Sequence, residues 1–389
     1  MITPARRMET FTPHFFASLN ARIAQMTAAG LDVIRLDEGA PDLPPAPFII
    51  QELSATAARS DVHGYQPHRG PAFLRQAWAT MYRRLYGLEL DPEREIIPLL
   101  GSKEGIFHLL LALVDPGDLV LVPDPGYITY TRGVQFAGGQ VSYFPLLPER
   151  GWLPDLSTIP PDLARRARLL WLNYPNNPTA GTADLAFFEQ AVAFARQYDL
   201  LLCHDAAYAQ VTFDGSPAPS PLQVPGAQEV VVEFNTLSKS HNMAGWRVGA
   251  ALGNPEALRL LFNLKTNADS SHFFPILQAA AAAMTGDQAW LVERNAIYAQ
   301  RRERIVSALN QVGLPARLPS GSLYVWCPIP PGWRSEEFVS AVLEQAQVSF
   351  TPGTLFGQGG EGYIRISFTA PLERVEEAMQ RLTRFLRGV

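Results

Sequence analysis

Apolar residues along this chain recur with two periods, and the changes of period mark the elements. Apolar runs of four or five residues occur at 96–100, 119–122, 169–172, 200–203, 230–234 (interrupted only by Glu233) and 248–252. Runs of that length without polar alternation predict strands buried on both faces. Between several of them apolar positions return every three or four residues, as at 184–198 and 255–265, which predicts helices. Strands alternating with helices describe an α/β fold, a doubly wound, mostly parallel sheet that binds its ligand at the carboxyl ends of the strands.

The ends of the chain show a different pattern. Phe15, Phe16, Leu19, Ile23 and Met26 have helical spacing within 13–29, and Gly30 stands where a helix C-cap glycine belongs. A short strand is expected at 33–36. Past an alanine-rich helix at 278–284 and a long amphipathic helix at 288–311, a second lobe reads strand 322–327, helix 335–345, short strand 348–350, strand 363–368 and a last helix from Pro371.

Composition narrows the functions open to such a chain. With 389 residues, it fits two lobes or one large domain. A net charge of −5 gives no electrostatic reason to expect nucleic acid or an anionic membrane as partner. Cys203 and Cys327 lie far apart in apolar runs and read as thiols of a reducing compartment. No apolar signal segment opens the sequence and no run of 18 apolar residues occurs, so a soluble cytoplasmic protein is expected. His63 and His68, either side of Pro67, read as loop residues and no metal site is expected.

The chemistry concentrates at 236–247. Lys239 follows the strand 230–234, with Thr236 and Ser238 before it and Arg247 eight residues on. A lysine becomes a useful nucleophile when a cationic neighbour or desolvation lowers its pKa. Upstream, the strand 96–100 stops at Gly101-Ser102-Lys103 and a strongly apolar helix pattern runs to Leu113. Strand, glycine and helix N-terminus make an anion site suited to one phosphate ester, without the spacing of a Walker loop. Asp205 closes the strand 200–203, where an aspartate is most often a helix cap.

The spacing of Thr236, Ser238, Lys239 and Arg247 resembles the signature of the class I/II, fold-type I pyridoxal-phosphate aminotransferases, and the other contacts follow in that family's order. The resemblance covers about 31–370. It implies pyridoxal 5′-phosphate bonded to Lys239, with Ser102, Lys103, Thr236, Ser238 and Arg247 around its phosphate. Asp205 would hold the ring nitrogen protonated, Asn177 and Tyr208 would meet the 3′ oxygen, and Tyr127 would stack on the ring. Arg365 would clamp the substrate carboxylate beside the backbone of Gly39. Tyr65 would cross the interface of a homodimer to the partner's phosphate. The N-terminal segment would pack with the C-terminal lobe, giving a large domain at 48–284 and a smaller α+β domain from 1–47 and 285–389.

Taken alone, several of these residues have plainer readings: Gly39 a turn, Tyr65 a loop anchor, Tyr127 packing, and Arg365 a solvent-facing strand residue opposite Ile364 and Ile366. The resemblance implies ping-pong exchange between an L-amino acid and a 2-oxo acid. Gly-Ser-Lys-Glu-Gly-Ile, Pro-Asp-Pro-Gly-Tyr and the lysine segment look most like the LL-diaminopimelate aminotransferases and their relatives. Lys103 then either reads a distal carboxylate or serves only the phosphate or the helix face. Two departures stand out. The link 267–275 lacks the asparagine expected near Ser271, which leaves the substrate open. Ala180 replaces a glycine, which is expected to be harmless with Gly181 beside it. A broad-range aminotransferase and a C–S β-lyase share every cofactor contact; a ligand sensor fused to a DNA-binding domain is disfavoured, for no helix-turn-helix segment or basic patch is present.

Overall fold

The computed structural model describes residues 2–5, 7–8 and 15–388. Its largest sheet has seven strands, ordered Ile96–Leu99, Gly249–Gly253, Val231–Thr236, Leu201–Asp205, Ala167–Leu172, Leu119–Asp124 and Gln140–Pro145. Gly249–Gly253 runs antiparallel to both of its neighbours, and the other pairings are parallel. Within Ala167–Leu172, Leu170 and Leu172 face a core with Trp78, Phe188 and Leu202. Leu169 and Trp171 face another, with Ile106, Val120 and Phe234. Two-sided burial is why these strands read largely as apolar runs.

The strand Gln140–Pro145 was not expected from the pattern. It is the sheet's edge, and only Phe144 of its six residues is buried, so no apolar run marks it. A helix at Pro47–Ala57, with proline at its start, was missed as well.

A second core forms around Ile34, Leu36, Tyr298, Val325, Ile364, Ile366 and Phe368. Here a three-stranded antiparallel sheet joins Thr351–Pro352, Tyr363–Ser367 and Tyr324–Pro328. The chain's beginning enters the same core: Ile34–Arg35 pairs in parallel with Val348–Ser349. The first long helix, Phe15–Ala28, packs Leu19 and Ile23 against Leu343. Pro13, where its apolar pattern begins, lies outside the described residues. Arg374 and Arg381 of the last helix, Leu372–Gly388, both pair with Asp32. Among the described residues no helix is long and apolar enough to cross a membrane.

Candidate active site

The carboxyl ends of the central strands face the second sheet across a cavity of about 550 Å³. Every sequence-predicted site residue but one lines it: Gly39, Ser102, Lys103, Tyr127, Asn177, Asp205, Tyr208, Thr236, Ser238, Lys239, Arg247 and Arg365. Tyr65 does not; it stands 95% exposed.

Lys239 lies in a one-turn helix, Leu237–Ser240, capped by Thr236, whose hydroxyl accepts from the Ser238 amide. Its Nζ donates to the Gly39 carbonyl at 2.5 Å. Arg294, buried, fixes the same turn from behind by donating to the carbonyls of Lys239 and Ser240. Burial, then the cations of Arg365 and Arg247, bring the lysine down to about 8, against the pull of Asp205. About a tenth of the amine is then neutral at pH 7, against well under a thousandth for an ordinary lysine.

Asp205 ends its strand inside the protein. Tyr130 Oη donates to Oδ2 at 3.0 Å, and Asn173 Nδ2 to the backbone carbonyl at 2.6 Å. Burial pushes the carboxyl up to about 6. Its Oδ1 is buried and, among the described residues, has no partner. A buried carboxylate oxygen left without a donor is costly. A protonated ring nitrogen is the donor that would complete it.

An anion cradle lies beside the lysine. Gly101, at φ +83°, turns the chain into the helix Ser102–Leu113. A Cβ at Gly101 would fall on Arg247 Nη2, so glycine is what lets that guanidinium reach the helix start. A Cβ at Gly249 would come within 2.9 Å of the Ser102 amide. Arg247 itself takes a left-handed backbone, φ +61°. Its Nη1 donates to the Ala244 carbonyl at 2.9 Å, and His272 Nε2 donates to its own carbonyl at 2.6 Å. Helix N-terminus, guanidinium and the Ser238 hydroxyl converge on room for one phosphate group.

Arg365 is 4% exposed, not solvent-facing as the alternation alone allowed. It does point away from Ile364 and Ile366, but that face is roofed by the rings of Tyr324 and Phe356, 4.2 and 4.8 Å from the guanidinium carbon. Nη1 donates to Asn177 Oδ1 at 2.8 Å and Nη2 to the Asp37 carbonyl at 2.9 Å. Tyr324 also bonds Tyr208 through their hydroxyls at 2.7 Å. A Cβ on Gly39 would fall on the Tyr324 hydroxyl, so this glycine answers a close approach. Sequence reasoning missed Tyr130, Asn173, Arg294 and Tyr324. Only Asn173 carried a local signal, as the first residue of the Asn-Tyr-Pro-Asn-Asn run.

An activated lysine, an unsatisfied buried carboxylate, a phosphate cradle and a buried arginine round one cavity define a pyridoxal-phosphate site. The sequence profile of aminotransferase class I and II matches residues 31–382. An LL-diaminopimelate aminotransferase of Moorella thermoacetica is 48% identical over 382 residues, 98% of each chain. Another of that name, from Syntrophobacter fumaroxidans, is 45% identical over 97% of each. The substrate-bound structure of BacF from Bacillus subtilis superposes with a TM-score of 0.96 at 35% identity, covering 99% of this chain and 98% of that one. The chain belongs to the class I and II aminotransferases. It is a pyridoxal-phosphate-dependent transaminase acting on amino and 2-oxo acids.

Proposed function

We propose that this transaminase exchanges an amino group between LL-diaminopimelate and 2-oxoglutarate, and that the cavity residues carry the roles assigned to them below. The observation that carries the substrate reading is full-length identity of 42–48% to relatives bearing the LL-diaminopimelate name. Lys103 agrees with it: among the described residues this cavity cation has no ion-pair partner, so a distal carboxylate can take it.

Arg365 binds the α-carboxylate of the incoming amino acid with its planar fork. Lys239, neutral in part near pH 8, would take the α-proton and give it back at the cofactor's carbonyl carbon, acting as base and then as acid. Asp205 would keep the proton on the ring nitrogen, Asn177 and Tyr208 would donate to the ring oxygen, and Tyr127 would meet the ring face. Arg247, Ser238, Thr236 and the helix start at Ser102 fix the phosphate. Bound there, pyridoxal 5′-phosphate supplies an electrophilic carbon and a ring that stores an electron pair.

In this reading the protein works as a homodimer in the cytoplasm, with exposed Tyr65 reaching the other protomer's phosphate. Its domains divide at 48–284 against 1–47 with 285–389. The test is a half-reaction: loaded protein is mixed with single amino acids and cofactor absorbance followed to its amine form. Fast conversion by LL-diaminopimelate and glutamate is expected. Fast conversion by aromatic or neutral amino acids instead would overturn the substrate reading, and an obligatory ternary complex would overturn the exchange mechanism.

A further inference from the structure

The cavity holds more charge than cofactor and α-carboxylate require. Asp205, Lys239, Arg247 and Arg365 have partners in the reaction just described. Lys103 is assigned the distal carboxylate, while Arg35 and Glu38 also line the cavity and have no role in that reaction. Arg35 is spoken for: its Nε and Nη2 donate to the two carboxylate oxygens of Asp37 at 3.2 and 2.7 Å, and Asp37 is fully buried. Arg35 Nη1 then meets Glu38 Oε1 at 2.8 Å. One guanidinium is thus shared by two carboxylates, which leaves a net negative charge. Lys103 leaves a positive one.

The backbone holds Glu38 in register with the reaction. The carbonyl before it, Asp37, accepts from Arg365 Nη2 at 2.9 Å and from the Thr351 hydroxyl at 3.1 Å. The carbonyl after it, Gly39, accepts from Lys239 Nζ. Its own carbonyl accepts from Thr369 Oγ1 at 3.1 Å. Glu38 therefore sits between the contact to the carboxylate clamp and the contact to the reacting amine. Its side chain is 53% exposed and within reach of a ligand. A neutral substrate end would use neither the Lys103 charge nor the oxygen of Glu38 that Arg35 leaves open; a carboxylate alone would use only Lys103. A zwitterionic end satisfies both.

We propose that Glu38 is a specificity-determining residue: it accepts the distal ammonium of a substrate carrying a second amino-acid head, through the carboxylate oxygen that Arg35 does not hold. This rests on the diaminopimelate reading above and adds to it the group that distinguishes such a substrate from a plain dicarboxylic amino acid.

The experiment compares two substrates differing only in that ammonium, LL-2,6-diaminopimelate and L-2-aminopimelate, in the half-reaction of the loaded enzyme and of Glu38→Gln. The readout is the ratio of their kcat/KM values. A charge-assisted bond at a half-exposed site predicts that Glu38→Gln lowers this ratio about 10-fold, and that Glu38→Lys lowers it further. A ratio unchanged in both variants, whether the two rates fall together or neither falls, overturns the proposal while leaving the diaminopimelate reading intact. Failure of the unmodified enzyme to convert LL-diaminopimelate overturns both, and is seen before any variant is made.

Discussion

Replacing Arg365 by alanine tests the centre of the site. The guanidinium is buried beneath two aromatic rings and spans Asn177 and the Asp37 carbonyl. An incoming α-carboxylate loses two charge-assisted hydrogen bonds, roughly 1.5–3 kcal/mol each. Water entering the vacated space returns part of that, leaving a loss of about 3–5 kcal/mol. At 1.36 kcal/mol per decade, kcat/KM for the half-reaction should fall roughly 100- to 5,000-fold. Arg365→Lys should fall between, since an ammonium keeps the charge and loses the fork. The assay is stopped-flow conversion of the loaded enzyme by glutamate, beside an amine of similar length without the α-carboxylate. A loss under tenfold for glutamate, or an equal loss for the amine, would refute the clamp.

Three further outcomes are expected. Asp205 has its carboxyl raised from 3.8 to about 6 by burial, so the folded cofactor-free protein binds more protons than the unfolded chain between those values, and this destabilising contribution is complete above pH 6. Cofactor-free Asp205→Asn should therefore be more stable at pH 7 by up to about 3 kcal/mol in denaturant melts while turnover collapses; a less stable variant contradicts the account. Lys239, lowered from 10.5 to about 8, should give cofactor capture by the empty protein a pH midpoint near 8, moved upward in Arg365→Ala; a midpoint near 10.5 would remove the activated lysine. By the same sign rule, the empty fold gains stability from this group as pH rises from 8 to 10.5. Ala180, expected to be harmless, adopts φ +58°, a left-handed conformation that costs alanine about 1–2 kcal/mol. Ala180→Gly should raise stability by about 0.5–1 kcal/mol once glycine's unfolded-state entropy is subtracted, and an unchanged melting temperature would argue against strain there.

Most of the large sheet was legible in the sequence because strands buried on both faces admit little but apolar residues, and because Gly101, Asp205 and Lys239 each lie at a strand's end. What stayed hidden was what only the third dimension joins. The edge strand Gln140–Pro145 carries too little burial to leave a signature. The direction of Gly249–Gly253 depends on its neighbours, and an apolar run reads the same either way. Tyr130 and Tyr324 reach Asp205 and Arg365 from elements far along the chain, and nothing beside them announces it. Arg365 shows both limits at once: period two gave its side of the strand correctly, but whether that side meets water is decided by Tyr324 and Phe356.

The pairing of Ile34–Arg35 with Val348–Ser349 has a consequence for how the protein is made. The carbonyls of Asp37 and Gly39 that hold Arg365 and Lys239 belong to a segment whose strand partner is synthesised more than three hundred residues later; the Thr351–Asp37 bond alone spans 314 positions. While the ribosome works through the large sheet, the phosphate cradle and the lysine can form, but the segment from Ile34 to Gly39 has no strand to pair with. Contacts so distant in sequence close slowly. The strand partner that positions the carbonyls of Asp37 and Gly39 is thus encoded only within the last hundred residues, after every strand of the large sheet.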